Sequence, residues 1–173
     1  LHRAQLMEPL AEVEMLFTAK EDLSSKDSLE DLLRKTKVAP AVEVPDSRFS
    51  DWFPSLSKYM VMADAAVGGY VVYGQEVDAN RLFDSVDALA KVKCQLFHDG
   101  KKLKDGASSE VLGNPLNSLQ WLVKKLEDQG QPLRAGQRVS SGTFLLPESL
   151  TDGEWKATFD QGLGAVFLNV SKD

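Results

Sequence analysis

An α+β fold, mostly strands with a few short helices, is what this sequence predicts. Three observations carry the prediction. Apolar and polar residues alternate with a period of two in several segments, as in half-buried strands. One stretch, between Asn114 and Gly130, carries the apolar spacing of an amphipathic helix. The helical and extended segments do not alternate in the βαβ manner of a parallel sheet, so a mixed or mainly antiparallel roll is expected.

The elements follow in chain order. Residues 10–17 alternate, with Glu12, Glu14 and Leu16 on one face and Val13, Met15 and Phe17 on the other, which predicts a strand. A short helix is expected at 28–36, where Ser28 and Asp31 have the spacing of a capping box and Leu29, Leu32 and Leu33 form a stripe. Pro40 is expected to end that episode, and "AVEVP" gives a second strand bearing Glu43. A loop follows, with a short helix near 55–62 and a strand at 69–73 bounded by glycines. "AKVKCQLFHDGKKL" is a hairpin turning at Asp99-Gly100. Asn114 caps the main helix, Pro115 fits its first position, and Leu119, Leu122, Val123 and Leu126 make its stripe. Gly130 stops it. The remainder, "QRVSSGTFLLP" and "EWKATFDQGLGAVFLNV", reads as three strands.

Composition narrows the function classes. The 173 residues suffice for one domain, and neither an internal repeat nor a low-complexity linker divides them. A net charge of −6 argues against nucleic-acid and anionic-membrane binding, and no apolar run of eighteen residues could span a bilayer. The lone Cys94 cannot form an internal disulfide, which points to a reducing, cytoplasmic compartment. His2 and His98 lack zinc-ligand spacing. Cys94 is expected to be a buried small residue, His98 to be exposed beside its turn, and Trp121 to be core. The chain opens on Leu1 in neither signal- nor transit-peptide form, so it is expected to begin mid-protein.

The chemistry-bearing feature is "LAEVEM", residues 10–15. On a strand, Glu12 and Glu14 point to the same face with Cα atoms about 6–7 Å apart. Two carboxylates on one apolar face repel unless a proton, a basic group or a divalent cation compensates. Oxygen ligands suit a hard ion such as Mg²⁺ or Mn²⁺. Glu43, between Val42 and Val44, could join them if the two strands pair. The same spacing also describes the solvated face of an ordinary amphipathic strand.

Four segments, "EPLAEVEMLF", "PAVEVPDSRFSDW", "MADAAVGGYVVYG" and "VLGNPLNSLQWLVKKLEDQGQPLRAGQRVSSGT", resemble in order and register the 2-oxopent-4-enoate hydratase/4-oxalocrotonate decarboxylase family, of the fumarylacetoacetase-like superfamily. The resemblance runs over nearly the whole chain and implies a mixed β-sandwich roll. It implies that Glu12, Glu14 and Glu43 bind one Mg²⁺ or Mn²⁺. Asp46 and Arg48, with Ser47, match the family's D-S-R and would orient the glutamate strand; a turn with an Asp–Arg pair is the plainer reading. Asp64 matches the aspartate of an A-D-N whose asparagine is Ala65 here. Ser141, Gly142 and Thr143 match a loop that approaches the substrate, although a plain β-turn would also account for them.

The implied activity is that of a metal-dependent lyase, hydrating a 2-hydroxy-2,4-dienoate or 2-oxo-4-enoate. Decarboxylation of a 2-oxo dicarboxylic acid is the alternative, and a non-catalytic domain that keeps only the fold is a third reading. The family's catalytic lysine and acidic residue are expected upstream of Leu1; Lys20, Lys26 and Lys58 match no such motif. The implied partners are a small 2-oxo acid and further copies of the chain in a homo-oligomer.

Overall fold

The computed structural model describes residues 1–172. Its strands are β1 (Glu8–Ala19), β2 (Thr36–Val44), β3 (Asp46–Ser47), β4 (Tyr70–Tyr73), β5 (Val77–Asp78), β6 (Lys93–His98), β7 (Lys101–Ala107), β8 (Arg138–Ser140), β9 (Glu148–Ser149), β10 (Gly153–Phe159) and β11 (Gly164–Val170). The helices are α1 (Leu29–Lys35), α2 (Lys58–Ala63), α3 (Ala79–Leu82), α4 (Val86–Leu89) and α5 (Pro115–Asp128). The expected α+β roll is what forms. One sheet runs β3-β1-β2-β4, with β5 on β2 and with β8 and β9 on β1; the other runs β11-β10-β6-β7. Every named pairing is antiparallel.

Alternation on β1 and β2 decides what lies inside. Val13, Met15 and Phe17 on β1 and Val38, Val42 and Val44 on β2 share one face. That face packs with Leu96, Trp155, Ala157 and Val166 of the second sheet and with Leu116, Leu119 and Val123 of α5, all buried. The even-numbered face of β1 is thereby turned away from the main core, and it carries the glutamates.

Local signals act as the sequence indicates. Ser28 and Asp31 form both bonds of the capping box. Asn114 Oδ1 accepts the Leu116 N–H at 3.0 Å, with Pro115 opening α5. Asp99 (φ 47°) and Gly100 (φ 76°) both take the left-handed conformation that a two-residue hairpin turn requires. Cys94 is buried, and burial pushes its thiol pKa up to about 12, as befits a small apolar core residue.

Three expectations are corrected. Pro40 does not end a segment; it lies inside β2, opposite Met15. Its missing N–H is tolerated because the outer neighbour of β2 is interrupted there, between Tyr73 opposite Ala41 and Val77 opposite Val38. Trp121 is not core but 63 % exposed. It stands two residues from both Leu119 and Val123, and two residues rotate a helical side chain by about 200°, to the opposite face. His98 is half-buried, its ring stacked on Trp155 at 4.3 Å and its Nε2 2.8 Å from the Asp152 carbonyl oxygen. It continues the inward alternation of Cys94 and Leu96 and pairs directly across the strands with Trp155. Among the described residues, no helix is long and apolar enough to cross a membrane.

Candidate metal centre

The register of β1 against β2 assembles the carboxylates. Glu12 lies directly opposite Glu43, and Glu14, opposite Ala41, is the next residue on the same face. One carboxylate oxygen of each lies within 4.8 Å of the others. Around a Mg²⁺ with ligands at 2.0–2.1 Å, opposite oxygens stand about 4.2 Å apart. Small side-chain rotations would therefore bring all three onto one ion. Glu14 is 1 % exposed, while Glu12 and Glu43 are half-buried.

Such a cluster is electrostatically uncomfortable without a counter-charge. Burial, then the neighbouring Glu43 charge, pushes the Glu12 pKa up to about 7. The same two causes push Glu14 up to about 8, against the pull of hydrogen bonds from Ser140 and Gly142. Burial also raises Glu43. Three acidic groups that hold protons this tightly offer an all-oxygen donor set to a divalent cation that can replace the protons.

Glu14 is aimed by β8 and the residues after it. The Ser140 hydroxyl donates to Glu14 Oε2, and the Gly142 N–H reaches the same oxygen at 2.9 Å. Ser140 also meets Glu43. Gly142 has φ +101°, a backbone conformation open to glycine and strained for other residues. Ser141 belongs to the support: its hydroxyl accepts the Met15 N–H at 3.1 Å, and its N–H donates to the Met15 carbonyl at 3.0 Å. Thr143 turns its hydroxyl to the Leu145 carbonyl at 2.9 Å and lines a separate hollow with Lys104, Phe144 and Leu146, so it does not join the cluster.

The D-S-R segment tightens the other end of the paired strands, beyond Glu12. The Asp46 carboxylate accepts the Met7 and Glu8 N–H groups at 2.8–3.0 Å and so staples the start of β1. Arg48 does not pair with the Asp46 carboxylate. It donates to the Asp64 carboxylate and carbonyl, and at 2.9 Å to the Asp46 carbonyl. Ser47 also donates to Asp64, at 3.2 Å. Asp64 is thus the hub that locks the turn after β2, with Glu43 only a few residues upstream. The lysines without a motif have other contacts: Lys20 pairs with Asp78 at 3.4 Å, and Lys58 lies over the Tyr59 ring at 5.2 Å.

Comparison with known proteins places this arrangement. The chain is 32 % identical over 171 residues to a 2-keto-4-pentenoate hydratase of Paraburkholderia phymatum, matching 98 % of this chain and 63 % of the relative. It is 33 % identical over 156 residues to a 2-hydroxyhexa-2,4-dienoate hydratase of Comamonas testosteroni, matching 88 % of this chain and 57 % of the relative. Among solved structures, the 4-oxalocrotonate decarboxylase of Pseudomonas putida G7, complexed with magnesium and adipate, superposes with a TM-score of 0.84 at 25 % identity, over 99 % of this chain and 64 % of that one. Over nearly its whole length the chain is thus similar to hydratases and a decarboxylase of one enzyme family. It spans less than two thirds of the length of these family members. The fold alone is shared more widely: a fumarylpyruvate hydrolase of Pseudomonas aeruginosa, in complex with Mn²⁺ and pyruvate, gives a TM-score of 0.73 at 15 % identity. No family model matches the chain.

Sequence reasoning missed Ser140, the residue that bonds Glu14. The alternation of "RVSS" already puts Arg138 and Ser140 on one side of a strand. Only the pairing of Ser140 with Leu16 shows that this side faces the glutamates.

Proposed function

We propose that this chain carries the metal-binding part of a lyase that hydrates a 2-oxo-4-enoate, the keto form of a 2-hydroxy-2,4-dienoate. The single observation that carries the reading is the convergence of Glu12, Glu14 and Glu43 within 4.8 Å on one sheet face. The likeness to the hydratases named above supports it, because it extends over 98 % and 88 % of this chain.

In this reading the three glutamates hold one divalent cation, Mg²⁺ or Mn²⁺. When bound, the cation supplies positive charge against the negative charge that develops on the 2-oxo oxygen of a chelating substrate. The chain's own residues do the rest of the positioning. Ser140 and the Gly142 N–H fix the rotamer of Glu14. Asp46 and the Arg48–Asp64 pair fix the strand ends that carry Glu12 and Glu43. Leu16, Ala39 and Ala41, on the same sheet face as the triad, keep water from its flank.

The superposition on a decarboxylase favours a second reading, loss of CO₂ from a 2-oxo dicarboxylic acid. One set of measurements decides among these. Isothermal titration with Mn²⁺ is expected to give one site per chain, lost in Glu12→Gln and Glu43→Gln. The same protein is then assayed for 4-hydroxy-2-oxo acid formation and for CO₂ release. Absence of Mn²⁺ and Mg²⁺ binding would overturn both readings; CO₂ release without hydration would replace the first by the second.

A further inference from the structure

Along the sheet from the triad, the face that carries the glutamates is roofed. Leu16, Ala39 and Ala41 lie on that face yet are only 0–3 % exposed, and they form an apolar cluster separate from the main core. Tyr73 on β4 stands opposite Ala41, and Arg138 on β8 stands opposite Thr18, so both project on the glutamate side. Their strands flank the β1–β2 pair from opposite sides, three strand spacings or about 14 Å apart in a flat sheet. The sheet curls so that the Arg138 guanidinium carbon sits 5.3 Å from the centre of the Tyr73 ring. The line joining them passes diagonally over the row that contains Leu16 and Ala39. Glu76 braces the contact: it accepts Arg138 Nε at 3.0 Å and the Thr18 hydroxyl at 2.5 Å.

We propose that the Tyr73–Arg138 arch is the specificity wall of this site, ending the space for the substrate's tail and restricting it to short-chain 2-oxo acids. The inference rests on the proposed binding of 2-oxo acids at the triad and adds what limits them. The surface beside Glu14 is apolar, but the arch covers it from the Glu14 row onward: Tyr73 is the cross-strand neighbour of Ala41, and Leu16, Ala39 and Ala41 are 0–3 % exposed. A short tail stops against Tyr73. A longer one must displace an aromatic ring held beneath a guanidinium that is itself tied to Glu76. In an open apolar slot the order would be reversed, because each buried methylene favours binding.

The test is a titration series of the Mn²⁺-loaded protein with pyruvate, 2-oxobutanoate, 2-oxohexanoate and 2-oxooctanoate, read by calorimetry. The wild-type chain is expected to bind 2-oxobutanoate at least tenfold tighter than 2-oxooctanoate. Arg138→Ala and Tyr73→Ala, which cut the arch from its two sides, are each expected to reduce that ratio at least fivefold. Trp121→Ala, on the outside of α5, leaves it unchanged. Both arch side chains are partly exposed, so the two variants should fold, and circular dichroism checks this. Affinity that is flat or rises with chain length in the wild type would overturn the proposal, as would a ratio unmoved in both variants. Failure of every acid, pyruvate included, to bind a chain that does bind Mn²⁺ would instead overturn the functional reading beneath it.

Discussion

Glu14→Gln should make the metal-free protein more stable above neutral pH, although it removes a residue central to the site. In the folded chain Glu14 titrates near 8, against an ordinary value of 4.5, because it is buried and faces Glu43. A carboxyl whose pKa is raised by folding holds its proton more tightly when folded. Its contribution is fully present below about pH 4.5 and is lost as the pH climbs from there through 8. At pH 7 the loss for this one group is about 3 kcal/mol, from a span of some 2.5 pH units at 1.36 kcal/mol each. Glutamine is nearly isosteric, its amide oxygen can still accept the Gly142 N–H, and it carries no charge at any pH. For a chain of this length each kcal/mol moves the melting temperature by about 2–4 °C, so the variant should melt roughly 6–12 °C higher at pH 7. At pH 5 the two proteins should agree within about 1 kcal/mol, because Glu14 is then protonated. The assay is thermal unfolding in chelator across pH 5–8, followed by circular dichroism. A parent whose melting temperature does not fall over that range, or a variant that melts with the parent at pH 7, would refute the reasoning.

Mn²⁺ should raise the melting temperature of the parent more at pH 8 than at pH 6, since protons and the cation compete for the same oxygens; equal shifts at both pH values would argue against the triad as the site. Ser140→Ala should weaken Mn²⁺ binding about tenfold, within the range seen when a group that orients a metal ligand is lost, and Ser140→Thr should restore most of it; an unchanged calorimetric Kd would deny Ser140 that role. Leu119→Ala should cost about 2–5 kcal/mol in urea unfolding while Trp121→Ala changes stability by less than about 1 kcal/mol, and the reverse order would mean that α5 packs by its other face.

How far the sequence could be read depended on the range of the interaction. The α1 capping box, the Asp99-Gly100 turn and the Asn114-Pro115 start of α5 are local, and each formed where its residues indicated. The strand reading of residues 10–17 put Glu12 and Glu14 on one face, because the side-chain period of a strand is fixed. Bringing Glu43 to them required the β1–β2 register, which no local spacing specifies and which the family resemblance supplied. Ser140 and the Tyr73–Arg138 contact were out of reach for the same reason: both depend on short strands pairing with partners distant in sequence. Proline's local preference argues against a place inside a strand, whereas a gap in the neighbouring strand makes room for Pro40 within β2.

β1 carries two of the three glutamates and is hydrogen-bonded along its length to β2, β3, β8 and β9. No partial opening of the molecule can release Glu12 or Glu14 while leaving that strand's partners in place. The backbone amides beside these two residues should therefore be among the last to exchange with deuterated solvent, and their exchange should report whole-molecule unfolding. Single side chains of the centre can be exchanged one at a time, but the backbone that carries two of them parts from its neighbours only when the scaffold itself comes apart.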